Sequence, residues 1–594
     1  MNYCWEEINK LNIGLKLIKS KRNKHLFITL VSFFALCYFA CQLFSDSFSW
    51  TAIVLLFMSV AVYFYSVVRD SRLKKQRNYY QSLVEVYQNE LNYRDGNFSA
   101  FDDGSEFIYK QHSFSFDLDI FGKSSLFHRI NRTTTRKGKA HLAFLLSNPP
   151  TNDYSEVDRN KEALKELCSS PEFRYPFIAI GSEIEPENED IPQSLLVAPK
   201  SSFLYSKGAL LLMCFSVVIS LVSAVTAYFS LIHVGVLVLL FILQLTVPLM
   251  VASKSNTEAG KIGRLHKTMY SYHKLLQLIR KQDFRAKLNE NLYGSLFRDA
   301  DSIGAFNELS RLLNSFDQRA NAYVLVVFNG LFLRDLFLLR RFYKWKKHYA
   351  SKMLGWLESI AHFDALISMA GMMYNHPDFT EATYIECGDF VLNASGLGHP
   401  FINQDKRVCN DFVIGRKQFS IITGANMAGK STFLRTVGIN YLMALCGMTV
   451  CASKFEFRMM GLFSSMRNSD DLNSGVSYFH AELNRIGLLL AECQNNEYTL
   501  LLLDEILKGT NSEDKLRGSI LFLEKVKEQS VSGIIATHDL ALSCMAKEYP
   551  TQFDNFRFEI ALADDIEYSY QISKGVAENL NASFLLQKIL DKTQ

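Results

Sequence analysis

Eight consecutive residues carry the densest chemistry in this sequence. Gly424-Ala425-Asn426-Met427-Ala428-Gly429-Lys430-Ser431 fits G-x-x-x-x-G-K-[ST] at every required position. A short apolar run, Ser420-Ile421-Ile422, precedes it and the helical Phe433–Leu445 stretch follows. Glycines in such a loop let successive N–H groups point into one concavity, and the next helix adds positive potential at its N-terminus. Lys430 is placed to reach the β- and γ-phosphates of a nucleotide, and the Ser431 hydroxyl to ligate Mg²⁺.

Two further elements complete this chemistry. Leu500-Leu501-Leu502-Leu503-Asp504-Glu505 reads as a buried strand ending in two acids. Asp504 is a candidate Mg²⁺ ligand, direct or through water, and Glu505 a candidate to polarise an attacking water. Gly533-Ile534-Ile535-Ala536-Thr537-His538 is a second strand with a polar end, and His538 could sense the γ-phosphate or position water.

These motifs sit at the end of a 594-residue chain, long enough for several domains. Sixty-four Lys+Arg against 60 Asp+Glu leave a net charge of +4, which argues against a uniformly basic nucleic-acid coat and against an acidic disordered chain. The 11 cysteines include no C-x-x-C pair and read as thiols in a reducing compartment, not as a disulfide scaffold or zinc site. Residues 389–594 alternate short β-rich runs with helices, which predicts an α/β domain. Residues 113–207 and 252–388 read as two parts of one helical domain. Within them, Pro149-Pro150 and the acidic stretch from Glu183 to Asp190 act as breaks.

The apolar content is concentrated. Leu26–Phe44 and Trp50–Val68 are 19 charge-free residues each, and Gly208–Val251 is 44. A spanning helix needs about 20 apolar residues, so the third run predicts two helices with a turn near Ser230 to His233. The expectation is four transmembrane helices in two hairpins, 26–68 and 208–251, with a basic head (1–25) and a linker (69–112). Lys10, Lys16, Lys19, Lys21, Arg22 and Lys24 precede the first run, and Arg69, Arg72, Lys74, Lys75 and Arg77 follow the second. Lys200 and Lys207, then Lys254, Lys261, Arg264 and Lys267, flank the second hairpin, whereas the Ser45–Ser49 loop has no base. Basic flanks belong inside, so both hairpins leave and return to the cytosol. No small-x-small cleavage site follows the first run, which is therefore expected to stay as a multi-pass anchor in the cytoplasmic membrane.

The motif set resembles the MutS family. Asn426-Met427 inside the phosphate loop is distinctive of it, and Thr432 follows in register. Ser469-Asp470-Asp471-Leu472-Asn473-Ser474-Gly475-Val476-Ser477-Tyr478-Phe479 is similar to the family's signature, with Glu482 where a further acid is expected. Leu503-Asp504-Glu505-Ile506 with Gly509-Thr510, and Ala536-Thr537-His538, match its later motifs. The likeness runs from Gly398-His399-Pro400 to Gly575. It extends more weakly to Leu118–Gly122, Arg132–Lys139 and Phe363–Leu366 in the helical core and lever. The resemblance implies an ABC-type ATPase fold acting as a homodimer with ATP and Mg²⁺. Ser474 and Gly475 would complete the partner's site, and Tyr570 falls where an adenine-stacking side chain would lie. The implied output is a DNA-related clamp or repair action.

Some features depart from the family. Leu507-Lys508 stands where the family has Gly-Arg, which keeps charge but not the guanidinium fork. Residues 69–112 leave little room for a mismatch-reading domain, so the expectation is a membrane-anchored member without one. Two basic clusters are candidates for DNA: Arg129, Arg132, Arg136, Lys137 and Lys139, and Arg340, Arg341, Lys344, Lys346 and Lys347 interleaved with Phe342, Tyr343, Trp345 and Tyr349. Such a mixture can bind phosphates and stack bases, lie at lipid headgroups, or be one solvated helix face with its aromatics inside. The rival functions are a mechanical ATPase acting on membrane or protein partners without DNA, and an ABC-type half-transporter. The latter lacks support because no L-S-G-G-Q signature occurs.

Overall fold

The first two apolar runs form one long helical hairpin. In the computed structural model, which describes residues 2–42, 50–184, 206–262, 265–318, 321–467, 478–495, 498–562 and 566–578, α1 is Asn2–Gln42 and α2 is Trp50–Arg94. Hydropathy marks where lipid would begin, but the helices continue well beyond it. The basic head is the first half of α1, and much of the expected linker is the second half of α2. Arg22 pairs with Asp70 at 2.9 Å, and Ser66 Oγ donates to the His25 carbonyl at 2.8 Å. Toward the helical body, Cys4, Ile8 and Leu11 pack with Leu83, Val86 and Tyr87 against Tyr175.

The helical body begins with α3 (Leu126–Ile130) and α4 (Arg136–Ser147), capped by the Ser125 and Thr135 side chains. Then come α5 (Tyr154–Cys168) and α6 (Pro171–Gly181), the latter with Pro at its first position. The second hairpin is inserted here as α7 (Lys207–Tyr228) and α8 (Val234–Ile262), with Ser230 at φ 58° in the turn. The body resumes with α9 (Leu265–Arg280), α10 (Lys287–Phe297), α11 (Ser302–Asp317), α12 (Ala322–Phe332) and α13 (Arg334–Asn375), a helix of 42 residues.

Among the described residues three helices are long and apolar enough to cross a membrane: α1, α2 and α7. Of the expected fourth span, on α8, the described side chains cover the apolar stretch Val234–Pro248, and residues 249–251 lie beyond them. The Ser45–Ser49 loop, Lys200 and most of the Glu183-to-Asp190 stretch lie outside the described residues.

The C-terminal part is built on mixed sheets. The strands are β1 (Thr380–Glu381), β2 (Thr383–Tyr384), β3 (Phe390–Leu397), β4 (Asn410–Gly415) and β5 (Phe419–Gly424). After α14 (Lys430–Leu445) come β6 (Thr449–Val450), β7 (Lys454–Phe457) and β8 (Gly461–Ser465). Then follow α15 (Tyr478–Asn495), β9 (Thr499–Asp504), α16 (Ser512–Val526), β10 (Val531–Thr537), α17 (Met545–Glu548), β11 (Phe553–Leu562) and β12 (Ile566–Lys574). Six strands form the main sheet in the order β12-β11-β5-β10-β9-β8, parallel except for β12. β5 and β10 are buried along their whole length, as parallel strands covered on both faces must be. A four-stranded sheet, β2-β7-β3-β4, lies alongside.

One continuous apolar core joins the two parts. Leu118 touches α14 at Gly438, where a Cβ would lie 2.6 Å from the leucine side chain. The helix that follows the phosphate loop is therefore seated on the helical body as well as on the sheet.

Candidate functional site

Parallel register brings the motifs together. Thr537 pairs with Thr423, and Ala536 with Asp504, so the ends of β5, β9 and β10 lie side by side. The loop after β5 turns through Met427 (φ 66°) and Gly429 (φ 110°) into α14, which starts at Lys430. Met427 is 80% exposed. Thr432 is exposed in the first turn of α14, beside Ser431.

Lys430 is buried. Its Nζ donates to the carbonyls of Gly424 at 2.7 Å and Ala425 at 2.9 Å, and lies 3.3 Å from His538 Nδ1. Burial lowers its pKa to about 8, against the raising effect of Asp504 and Glu505. Burial, then the Lys430 charge, also lowers His538 from its ordinary value, which keeps the imidazole neutral at pH 7. The Ser431 hydroxyl donates to Asp504 Oδ2 at 2.5 Å. Two oxygens from opposite walls thus converge at one point, a donor set that suits Mg²⁺.

Glu505 adopts φ 63° just past β9, and its backbone N–H donates to the Ala536 carbonyl at 2.8 Å. Its carboxylate pairs with Lys515 of α16. Burial pushes the Glu505 pKa up, but Lys515, helped by His538 and Lys508, holds it below the ordinary value. Glu482 on α15 is buried and accepts from the N–H groups of Lys508 at 2.9 Å and Gly509 at 3.0 Å. The expected acid therefore fixes the loop after β9 and does not face the phosphate loop.

Tyr570 comes to the phosphate loop from β12. A Cβ on Gly429 would lie 3.2 Å from its ring, and Asn410 Nδ2 donates to its carbonyl at 3.1 Å. A cavity of about 350 Å³ opens here, lined by His399, Ile402, Asn410, Phe433, Phe558 and Tyr570. Ser474 and Gly475 lie outside the described residues. Arg467, at the end of the described stretch, shares the Asp119 carboxylate with Arg435 of α14. The nearest contacts to that carboxylate are 2.5 Å from Arg467 and 2.8 Å from Arg435. Arg485 of α15 donates to Asp117 at 3.1 Å and to the Ser464 carbonyl at 2.6 Å. Sequence reading missed Lys515, Arg435, Arg467 and Arg485. The charged turn after the two acids, Glu513-Asp514-Lys515, was the only available cue to the first.

The basic clusters resolve differently. Arg132 is buried, donates to Glu90 at 2.8 Å, and lies over the rings of Phe101 and Tyr93 at 3.9 and 4.3 Å. Arg129 is held between Phe98 and Phe401, and Lys139 pairs with Asp102 and Glu106. In the second cluster Phe342, Trp345 and Lys346 are buried, and Trp345 Nε1 donates to the Ala305 carbonyl at 2.8 Å. Arg340 donates to the Ser206 carbonyl and Arg341 pairs with Glu308. Phe342 and Trp345 therefore pack inward, and the exposed side is charged.

A parallel sheet with a phosphate-type loop, paired acids and a third polar strand end defines a MutS-type domain. Residues 420–586 match the family description MutS domain V. The chain is 32% identical over 241 residues to the DNA mismatch repair protein MutS of Thermotoga maritima, covering 39% of this chain and 29% of that protein. It is 30% identical over 240 residues to MutS protein homolog 4 of Homo sapiens, covering 38% and 24%. To the MutS protein of Thermus thermophilus it is 32% identical over 193 residues, covering 32% and 22%. Over residues 420–586 the chain is a MutS domain V. It covers less than a third of the length of these relatives.

Proposed function

We propose that this protein is a membrane-anchored MutS-type ATPase in which Mg²⁺-dependent ATP hydrolysis at a dimeric composite site moves the helical body. The observation that carries this is the convergence of Lys430, Ser431, Asp504, Glu505 and His538 at the ends of three adjacent parallel strands. Lys430 exchanges its two carbonyl partners for phosphate oxygens, and the loop's N–H groups orient the rest of the triphosphate. Ser431 and Asp504 would hold Mg²⁺, which would supply charge neutralisation at the transferring phosphate. Once released from Lys515, Glu505 orients the water that attacks the γ-phosphorus, and His538 senses the phosphate end. The cavity beside Tyr570 has the aromatic and polar lining that a purine needs, with Asn410 at its rim. Ser474 and Gly475 serve the partner's nucleotide, as in the family.

The names of the bacterial relatives bring DNA mismatch repair as the object of this cycle. A second reading has its own support: a mechanical ATPase acting on the membrane. α13 runs from beside the α7–α8 hairpin to the edge of the sheets, the basic-aromatic cluster at 340–349 turns Phe342 and Trp345 inward, and Arg132 of the other basic cluster is buried over Phe101. The deciding experiment measures ATPase rate and binding of the full chain in detergent against mismatched, branched and single-stranded DNA at several salt concentrations. DNA as the object requires a steep salt dependence and a response to changes at Lys344 and Lys347. No response to any DNA leaves the membrane as the object.

A further inference from the structure

α12 is an apolar helix too short to count as a span. Its sequence AYVLVVFNGLF has no charge in 11 residues, and at 1.5 Å per residue it rises ~16 Å, about half the hydrocarbon thickness. Tyr323, Val326, Val327, Phe328, Leu331 and Phe332 are exposed, Tyr323 by 84%. A contiguous patch of this kind on a soluble surface marks a contact with something else.

The helix does not stand apart from the second hairpin. Gly330 meets the Phe241 ring of α8 so closely that any side chain there would collide. At its end, Leu333 and Leu336 pack with Met213 of α7. Met213 and Phe241 both belong to the charge-free 208–251 run, whose two helices are registered by Gln244 Nε2 donating to Ser216 Oγ at 2.7 Å. Polar side chains around α12 hydrogen-bond within the fold. Asn321 caps it, and Asn329 Nδ2 donates to Asp335 Oδ2 at 2.9 Å while the Asp335 N–H returns to Asn329 Oδ1 at 2.8 Å. Arg334 donates to the Ser315 carbonyl and to Gln318. Leu333, at φ 51°, reverses the chain into α13.

We propose that α12 is a half-depth membrane element whose exposed face is covered by phospholipid acyl chains, and that it forms the foot of α13 in the leaflet nearer the ATPase domain. The placement rests on the membrane anchoring proposed above, because α12 shares the apolar layer of α7 and α8. Acyl chains fit better than a protein partner. The exposed residues of α7, Leu211, Leu212, Phe215, Val218 and Val222 among them, spread over about half its circumference at 100° per residue, and α12 packs beside this hairpin through Phe241 and Met213. Fluid hydrocarbon covers such a surface without shape complementarity. From this foot α13 extends ~63 Å to Asn375, and the next residue, His376, lies 3.0 Å from the Tyr93 hydroxyl. Motion at the ATPase end is thus delivered into one leaflet.

The test places a photoreactive benzoylphenylalanine at Val327, and separately at Tyr323, in the full chain. The protein is reconstituted in vesicles of phosphatidylethanolamine and phosphatidylglycerol. Leu212 on α7 and Leu521 on α16 serve as lipid and solvent controls. The expected result is phospholipid adducts at Val327, Tyr323 and Leu212 and none at Leu521. Adducts at Leu212 but only protein adducts, or none, at both α12 positions overturn the inference and leave the hairpin in the membrane. No lipid adduct at Leu212 or at the α12 positions removes the anchoring and the inference together.

Discussion

The Lys515 ammonium holds the Glu505 carboxylate in an ion pair, with both side chains about four-fifths buried. The group best placed to orient water is therefore engaged before any reaction. Lys515→Met should raise basal ATP turnover roughly fivefold, the factor that about 1 kcal/mol of barrier represents. Because Lys515 holds the Glu505 pKa down, its loss should also move the acid limb of the pH–rate profile to higher pH. A lower rate with an unmoved acid limb would mean that Lys515 positions Glu505 productively instead of restraining it.

Glu505→Gln should reduce turnover by about 10²–10³, the usual weight of a general base, while nucleotide still binds. Light scattering should then find the nucleotide-bound protein trapped as a dimer. Wild-type turnover in Lys430→Ala would remove the phosphate-loop assignment altogether.

Nucleotide affinity should depend on pH through Lys430. Its pKa is about 8 in the nucleotide-free site because burial disfavours the charged form. Triphosphate favours that form and raises the pKa. Binding therefore takes up a proton above pH 8, and affinity is full below about pH 8 and falls by up to about tenfold per pH unit above it. Calorimetry in buffers of different ionisation enthalpy measures the proton directly; no uptake at pH 9 contradicts the assignment.

Tyr570→Ala should raise KM for ATP by about fivefold with little change in kcat, since a stacked aromatic contributes about 1 kcal/mol to binding in both ground and transition states. Tyr570→Phe should stay close to wild type. Equal losses in both variants would point to the hydroxyl and away from stacking.

Arg132→Met leaves the buried Glu90 without its main partner. The expected cost is about 3–5 kcal/mol of stability, read as an early unfolding transition in detergent, with ATP affinity in the surviving folded fraction unchanged.

The legible features were those fixed by neighbours in sequence. The phosphate loop is eight consecutive residues, and the strands carrying Asp504 and His538 announce themselves as unbroken apolar runs. Lys515 was invisible because its meeting with Glu505 depends on a turn with positive φ at Glu505 and Leu507. The arginines at 129 and 132 had the charge of a phosphate-binding surface, and only distant partners, Glu90, Phe98, Phe101 and Phe401, turned them inward. Helices α1 and α2 run across the edges drawn for the basic head and the linker for another reason. Hydropathy locates a boundary in the solvent, whereas helix ends follow capping and packing. α12 escaped because half a bilayer of apolar sequence, interrupted by Asn329, looks like one face of a core helix.

Asp119 has a consequence for timing. Its single carboxylate grips Arg435 on α14, the helix after the phosphate loop, and Arg467, just before the segment that the proposed function assigns to the partner's site. In the proposed dimer, each subunit then ties the state of its own phosphate loop to what it offers its neighbour. Two sites coupled in that way favour firing in alternation over firing independently.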